Sequence, residues 1–204
     1  DRSHEFTEVS GLSLSDNDGF LAVSDGAARI FRLDDAGKVR KKETLHALPG
    51  LEGVTFDPVG RRILAVREDT SEILEVAPNG RITRHSILAM EGAGSLAEHF
   101  TATDANDGLE GITIDPKTGT VFVVKERGPR LLIEIAPDLS RVRKIMTLSG
   151  SAGFVSDRAE DNHLDVSGLA WDGQRQGLWI TSDTGQALYF FCFATMKARG
   201  WALL

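Results

Sequence analysis

The sequence predicts an all-β fold, a β-propeller of four-stranded antiparallel blades forming a single domain over residues 1–204. Three observations predict it. One grammar returns four times, over about 9–45, 51–88, 109–148 and 166–204. Each copy holds four short runs of strand length, rich in β-formers and joined by turns. The same glycine opens every copy, and a carboxylate closes each second run. Recurrence of this kind marks stacked repeat units.

The inner strand of each unit reads VSGLSLS at 9–15, LEGVTFD at 51–57, LEGITID at 109–115 and VSGLAWD at 166–172. The second strand follows as FLAVSD (20–25), ILAVRE (63–68), VFVVKE (121–126) and LWITSD (178–183). The third is IFRL (30–33), ILEV (73–76), LIEI (132–135) and LYFF (188–191). The fourth starts at a basic residue, Lys38, Arg81, Arg141 or Lys197, and ends at Leu45, Leu88, Leu148 or Leu204. Turn sequences such as DDAG and APNG separate the third and fourth runs, supplying residues tolerant of left-handed backbone and a proline that presets a turn. A meander of four such strands cannot bury both its faces alone, so blades must stack about an axis. A β-sandwich would give no reason for the same glycine and carboxylate to return.

The motif glycines, Gly11, Gly53, Gly111 and Gly168, are spaced by 42, 58 and 57 residues, the excess being two insertions, 89–107 and 149–164. Both lie between one blade's outer strand and the next blade's inner strand, so both should emerge on one face of the ring, where binding sites tend to be built. Four units leave nothing over at the C-terminal side, yet HEFTEV at 4–9 alternates like an outer strand. A further blade, missing or incomplete, is therefore expected.

The net charge of −7 disfavours nucleic acid or an anionic membrane as the main partner and favours cations. The longest apolar run, 187–196, is about half of the roughly 20 residues a spanning helix needs, so the chain should contain no transmembrane segment. No leader is present at Asp1, and a signal or membrane anchor upstream is left open. The lone Cys192 permits neither an internal disulfide nor a cysteine zinc site, and its place in an apolar strand suggests a buried, inert thiol.

Chemistry points to carboxylates. Glu52 and Glu110 precede two motif glycines, with Ser10 and Ser167 in the equivalent places. Gathered at the axis, such oxygen donors could hold a calcium ion, which takes six to eight oxygen ligands. The alternative is that each caps its own strand. In a regular strand Glu52 shares a face with Val54 and Phe56, so it reaches the channel only if the strand is twisted there. A second set, Asp25, Glu68, Glu126 and Asp183, precedes turns and reads as backbone-bonding, with Arg67, Lys125 and Arg127 alongside as a polar rim. The insertions add Asp104, Asn106 and Asp107, then Asp157, Glu160, Asp161, Asn162, His163 and Asp165. The metal-ligating set drawn from these is Glu52, Glu110, Asp107, Asp165 and His163. No nucleophile elbow, HExxH or P-loop occurs, and GAGSLA at 92–97 lacks the strand-turn-helix unit of a dinucleotide site. Catalytic residues are left unassigned.

The segments VSGLSLS, LEGVTFDP, NDGLEGITIDPKTGTVFVVKERGPRLLIEI and LDVSGLAWD resemble the SdiA-regulated domain proteins of bacteria, propellers of largely unassigned function. That resemblance implies a periplasmic or envelope-associated location. The Glu-Gly pairs are also similar to those of calcium-dependent lactonase propellers and of esterase-like relatives of phytases, which implies a metal role for Glu52 and Glu110 only. The resulting expectation is a non-catalytic envelope propeller that binds a small molecule or protein on the insertion-bearing face, with a calcium ion at the axis. The alternative is a metal-dependent esterase, lactonase or phosphoesterase, with Asp107, Asp165 or His163 as base.

Overall fold

The computed structural model describes residues 9–16, 19–24, 26–44, 49–100 and 108–203. Among these residues sixteen strands form four antiparallel sheets, each a meander in chain order. Blade one contains β1 (Val9–Leu14), β2 (Gly19–Ser24), β3 (Ala27–Asp34) and β4 (Val39–Thr44). Blade two contains β5 (Leu51–Asp57), β6 (Arg62–Arg67), β7 (Glu72–Val76) and β8 (Ile82–Ser86). Blade three contains β9 (Leu109–Ile114), β10 (Val121–Lys125), β11 (Leu131–Ile135) and β12 (Val142–Thr147). Blade four contains β13 (Gly168–Asp172), β14 (Gly177–Ser182), β15 (Ala187–Cys192) and β16 (Lys197–Leu203). The all-β, four-bladed propeller expected from the repeats is the architecture found. Residues 4–8 of HEFTEV lie outside the described residues, as do Asp25, Leu45, Asp104, Asn106, Asp107 and Leu204.

Strand β1 packs on β5, β5 on β9 and β9 on β13, which sets the inner strands side by side about one axis. No comparable packing joins β13 to β1 among the described residues, so the blades form an open arc. Each blade has a leading face toward the preceding blade and a trailing face toward the following one. Leu21, Val23 and Ile30 of blade one meet Val54, Ala65 and Leu74 of blade two. Leu64, Val66 and Ile73 then meet Ile112, Val123 and Ile133 of blade three, and Phe122, Val124 and Leu132 meet Ile180, Tyr189 and Phe191 of blade four. Strand residues thus alternate between two seams, because a period of two sends neighbours to opposite faces of a sheet.

The recurring glycine is explained by backbone proximity. A Cβ on Gly11 would stand 2.6 Å from the Glu52 carbonyl oxygen, and one on Gly53 would stand 2.7 Å from that of Glu110. Real side chains do not fit at such distances, so glycine is what lets successive inner strands touch. Turns repeat as well. Asp57 and Asp172 end their inner strands and Asp115 directly follows β9, and their Oδ1 atoms accept backbone N–H groups two residues on, at 3.0 Å each. These Asx turns close the hairpins.

The insertions fold over the seams. Met90, Ala93 and Leu96, with Ile87 just before them, join the core between blades two and three, while Phe154 and Leu164 join that between blades three and four. Short 3₁₀ turns at Ile87–Ala89, Leu96–His99 and Gly150–Ala152 were not foreseen from the sequence. The buried Arg130 fixes the second insertion, donating to the carbonyls of Leu148 and Leu164, both at 2.8 Å, and to Asp161 Oδ1 at 2.6 Å. Cys192 is half-buried rather than buried. It ends β15 in the alternation that, in blade four, sends every second side chain to the trailing face, which no other blade covers among the described residues.

Candidate metal centre

The parity problem at Glu52 is solved by β-bulges. Leu51 pairs with Arg67 and Gly53 with Val66, so Glu52 is an extra residue on its strand. Leu109 pairs with Lys125 and Gly111 with Val124, which places Glu110 in the same position one blade on. A bulge breaks the alternation and re-aims the side chain it carries. Glu52 and Glu110 are thereby released from the face that Val54 and Ile112 occupy, and they lie close enough for each charge to act on the other.

Glu68 and Glu126 complete the cluster. They follow β6 and β10 directly, and their amides bond the carbonyls of Gly50 and Gly108 at 3.2 and 3.0 Å. Both side chains turn inward. Carboxylate oxygens of Glu68, Glu110 and Glu126 all lie within 4.8 Å of one another. Glu68 comes from blade two and crosses the seam over Gly108 of blade three, where a Cβ would collide with the Glu68 side chain and carbonyl. Glu68 Oε1 and Glu126 Oε2 are shielded from solvent, while Glu126 Oε1 meets Arg127 Nη1 at 3.5 Å. The sequence reads this set as carboxylates that accept backbone N–H groups at turns, and does not anticipate that those of Glu68 and Glu126 converge with that of Glu110. The available signal was that Glu rather than Asp stands here in the two central blades only, the same blades that carry Glu52 and Glu110.

Burial and the neighbouring charges of Glu52, Glu126, Glu68 and Asp165 push the Glu110 carboxyl up to about 9. At neutral pH and without a counter-charge it holds its proton. Asp165 is buried and engaged: it accepts from Ser182 Oγ at 2.6 Å and from the Thr184 amide at 3.2 Å. It contributes field to the cluster while capping the β14–β15 turn. His163 is exposed on the second insertion, and its carbonyl accepts from Thr184 Oγ1 at 3.0 Å. Asp107 lies outside the described residues.

Converging carboxylates that repel one another and are partly shielded from water suit a hard divalent cation, whose charge replaces a proton. Glu68, Glu110 and Glu126 fit that role by donor type and spacing, with Glu52 beside them. Lys125, next to Glu126 in sequence, is fully buried, bonds the Arg127 carbonyl and lies over the Phe100 ring at 5.5 Å.

The fold is shared with solved propellers. A streptogramin B lyase structure aligns with a TM-score of 0.59 at 14% identity, covering 98% of this chain and 56% of that one. A catalytically inactive variant of virginiamycin B lyase from Staphylococcus aureus with quinupristin gives 0.57 at 14%, covering 98% and 57%. The β-propeller domain of Myceliophteria thermophila Cps50 (Swd1) gives 0.57 at 14%, covering 90% and 52%. The chain spans little more than half the length of these structures, and likeness at this identity speaks to fold alone. No curated protein matches it. The family model described as SdiA-regulated matches residues 6–191, nearly the whole chain, and the chain belongs to that family.

Proposed function

We propose that this SdiA-regulated propeller is a non-catalytic component of the bacterial envelope, periplasmic or envelope-associated, that holds a calcium ion at its axis and binds a small molecule or protein there. One observation carries the reading: the convergence of Glu68, Glu110 and Glu126 from two blades to within 4.8 Å. A cation held by these oxygens could use its remaining coordination positions for water or for oxygen atoms of a ligand. The insertions join the inner strands at the same end, so a ligand reaching the ion would also meet them. The envelope location rests on family resemblance alone. A binding role is favoured over hydrolysis because Asp165 is already bonded to Ser182 and Thr184, and the His163 side chain is exposed.

The test is thermal melting in calcium and in EGTA. A ligand bound only by the native state at a hundredfold excess over Kd adds about 2.7 kcal/mol, which for a domain of this size raises Tm by roughly 5–10 °C. The shift should vanish in Glu110→Gln. No calcium-dependent shift in the unaltered protein would sink the proposal. Turnover of esters, lactones or phosphate esters that Glu110→Gln abolishes would replace it with the hydrolase reading.

A further inference from the structure

Two equivalent seams carry opposite charge. Leu21, Arg32 and Lys41 are cross-strand partners, so they share the face of blade one that looks toward blade two. In blade two the corresponding residues are Leu64, Glu75 and Thr83. Glu75 is answered within the protein, with Arg62 Nη1 at 3.4 Å and His85 Nε2 at 2.9 Å. Arg62 also pairs with Asp57 at 2.9 Å and bonds the Pro137 carbonyl of blade three. The seam between blades two and three is thus spanned by its own polar contacts.

Between blades one and two there is instead a cleft of about 380 Å³, within the size range of small-molecule sites. Its charged lining is Arg32, Lys41 and Arg61 against Asp16 alone, an excess of two positive charges. Arg32 is held in place by Asp16 Oδ1 at 2.9 Å and Ser15 Oγ at 3.2 Å, both accepting from Nη1. Arg61 is exposed, and among the described residues it makes no hydrogen bond or ion pair. Phe56, Val76 and Pro78 add apolar wall. Arg61 lies in the turn after β5 and Pro78 in the turn after β7, whereas Glu68 follows β6 and Glu110 opens β9. The cleft therefore opens at the end of the strands away from the carboxylate cluster.

We infer that this cleft binds a small organic phosphate monoester, its phosphoryl oxygens on Arg32, Lys41 and Arg61 and its organic part on Phe56 and Pro78. Guanidinium groups present paired N–H donors that match phosphate oxygens. A monoester near its dianionic form balances the excess charge of the cleft, which a single carboxylate does not. The chain as a whole is acidic at −7, but a small ion responds to the local field of the cleft that receives it. This inference is independent of the calcium reading.

Calorimetric titration with phenyl phosphate tests it, in calcium-free buffer containing EGTA so that the axial site plays no part. One site per chain is expected, with affinity falling as salt rises and with benzoate and phenol binding more weakly. Arg61→Gln and Lys41→Gln should each weaken phenyl phosphate about tenfold, as the loss of one charge-assisted contact does. Glutamine is compatible with the backbone at position 61: Gln176 and Gln186 hold φ at 52° and 44°, beside 49° for Arg61, so that variant keeps its turn. Absence of saturable binding, affinity unchanged in both variants, or benzoate or phenol binding as tightly as phenyl phosphate would each overturn the inference.

Discussion

Glu110 is a residue whose protonation opposes its setting. Its carboxyl is raised from an ordinary value near 4.5 to about 9 by burial first and by the Glu52, Glu126, Glu68 and Asp165 charges after that. For an acid shifted upward, the folded state binds the proton more tightly than the unfolded chain. The stabilisation is complete below the unfolded value and is lost as pH rises through the folded one. Calcium-free protein should therefore lose stability between about pH 4.5 and pH 9, and Glu110→Gln should flatten that decline in melting profiles. An unchanged profile would place the titration elsewhere. Calcium should bind more tightly over the same interval, since the Glu110 proton must leave first. Gly108→Ala tests the geometry of the cluster. The added methyl must push Glu68 aside, so the calcium-dependent rise in Tm should shrink while the fold survives at a cost of about 1–3 kcal/mol. An undiminished rise would mean that Glu68 is not needed.

Element by element, the strand grammar was readable because apolar period and turn chemistry are local properties. The bulges were not. A bulge belongs to a pair of strands, and the alternation argument at Glu52 assumed a regular one. Glu68 and Glu126 were missed for a related reason: residues that end a strand have no fixed side-chain direction, and Gly108, which admits Glu68 across a seam, lies in the following blade. The Asp at the end of the inner strand is a turn clamp in blades two, three and four. At Asp57 the carboxylate takes the Val59 and Gly60 amides and an Arg62 ion pair at 2.9 Å, with only 3% of its side chain exposed. Asp57→Ala should cost about 3–5 kcal/mol, the range for breaking a buried pair from one side, read from the urea midpoint. A loss below 1 kcal/mol would show the turn to be held by other means. Asp172 works in the opposite sense to Glu110. Backbone and side-chain bonds from Arg175 hold its carboxyl down to about 2, so its contribution is present above the ordinary carboxylate range and is lost as pH falls through that value.

For the whole molecule, the decisive property is that inner strands touch through glycine. Radial stacking was legible from the sequence because the same residue returned at the same place. What glycine does there was not, since the atoms it avoids belong to another blade. The arc therefore predicts two different outcomes for one chemical change. In Gly53→Ala the methyl meets the Glu110 carbonyl, the Ile112 amide and the Gly111 Cα, all within 3.1 Å and all backbone. Relief requires blades two and three to separate, opening a core seam that includes Leu64, Val66 and Ile112. The loss should reach about 3 kcal/mol, the upper part of the range for overpacking. In Gly168→Ala the nearest atom is the hydroxyl of Thr181, a side chain that can rotate, and no backbone atom among the described residues stands in the way. Alanine also narrows the unfolded ensemble, a gain of roughly 0.4–1 kcal/mol. The fold should therefore be almost indifferent to the change at Gly168. Denaturant midpoints for the two variants separate these effects. Equal destabilisation would mean that Gly53 is kept for its own strand and not for the neighbouring blade.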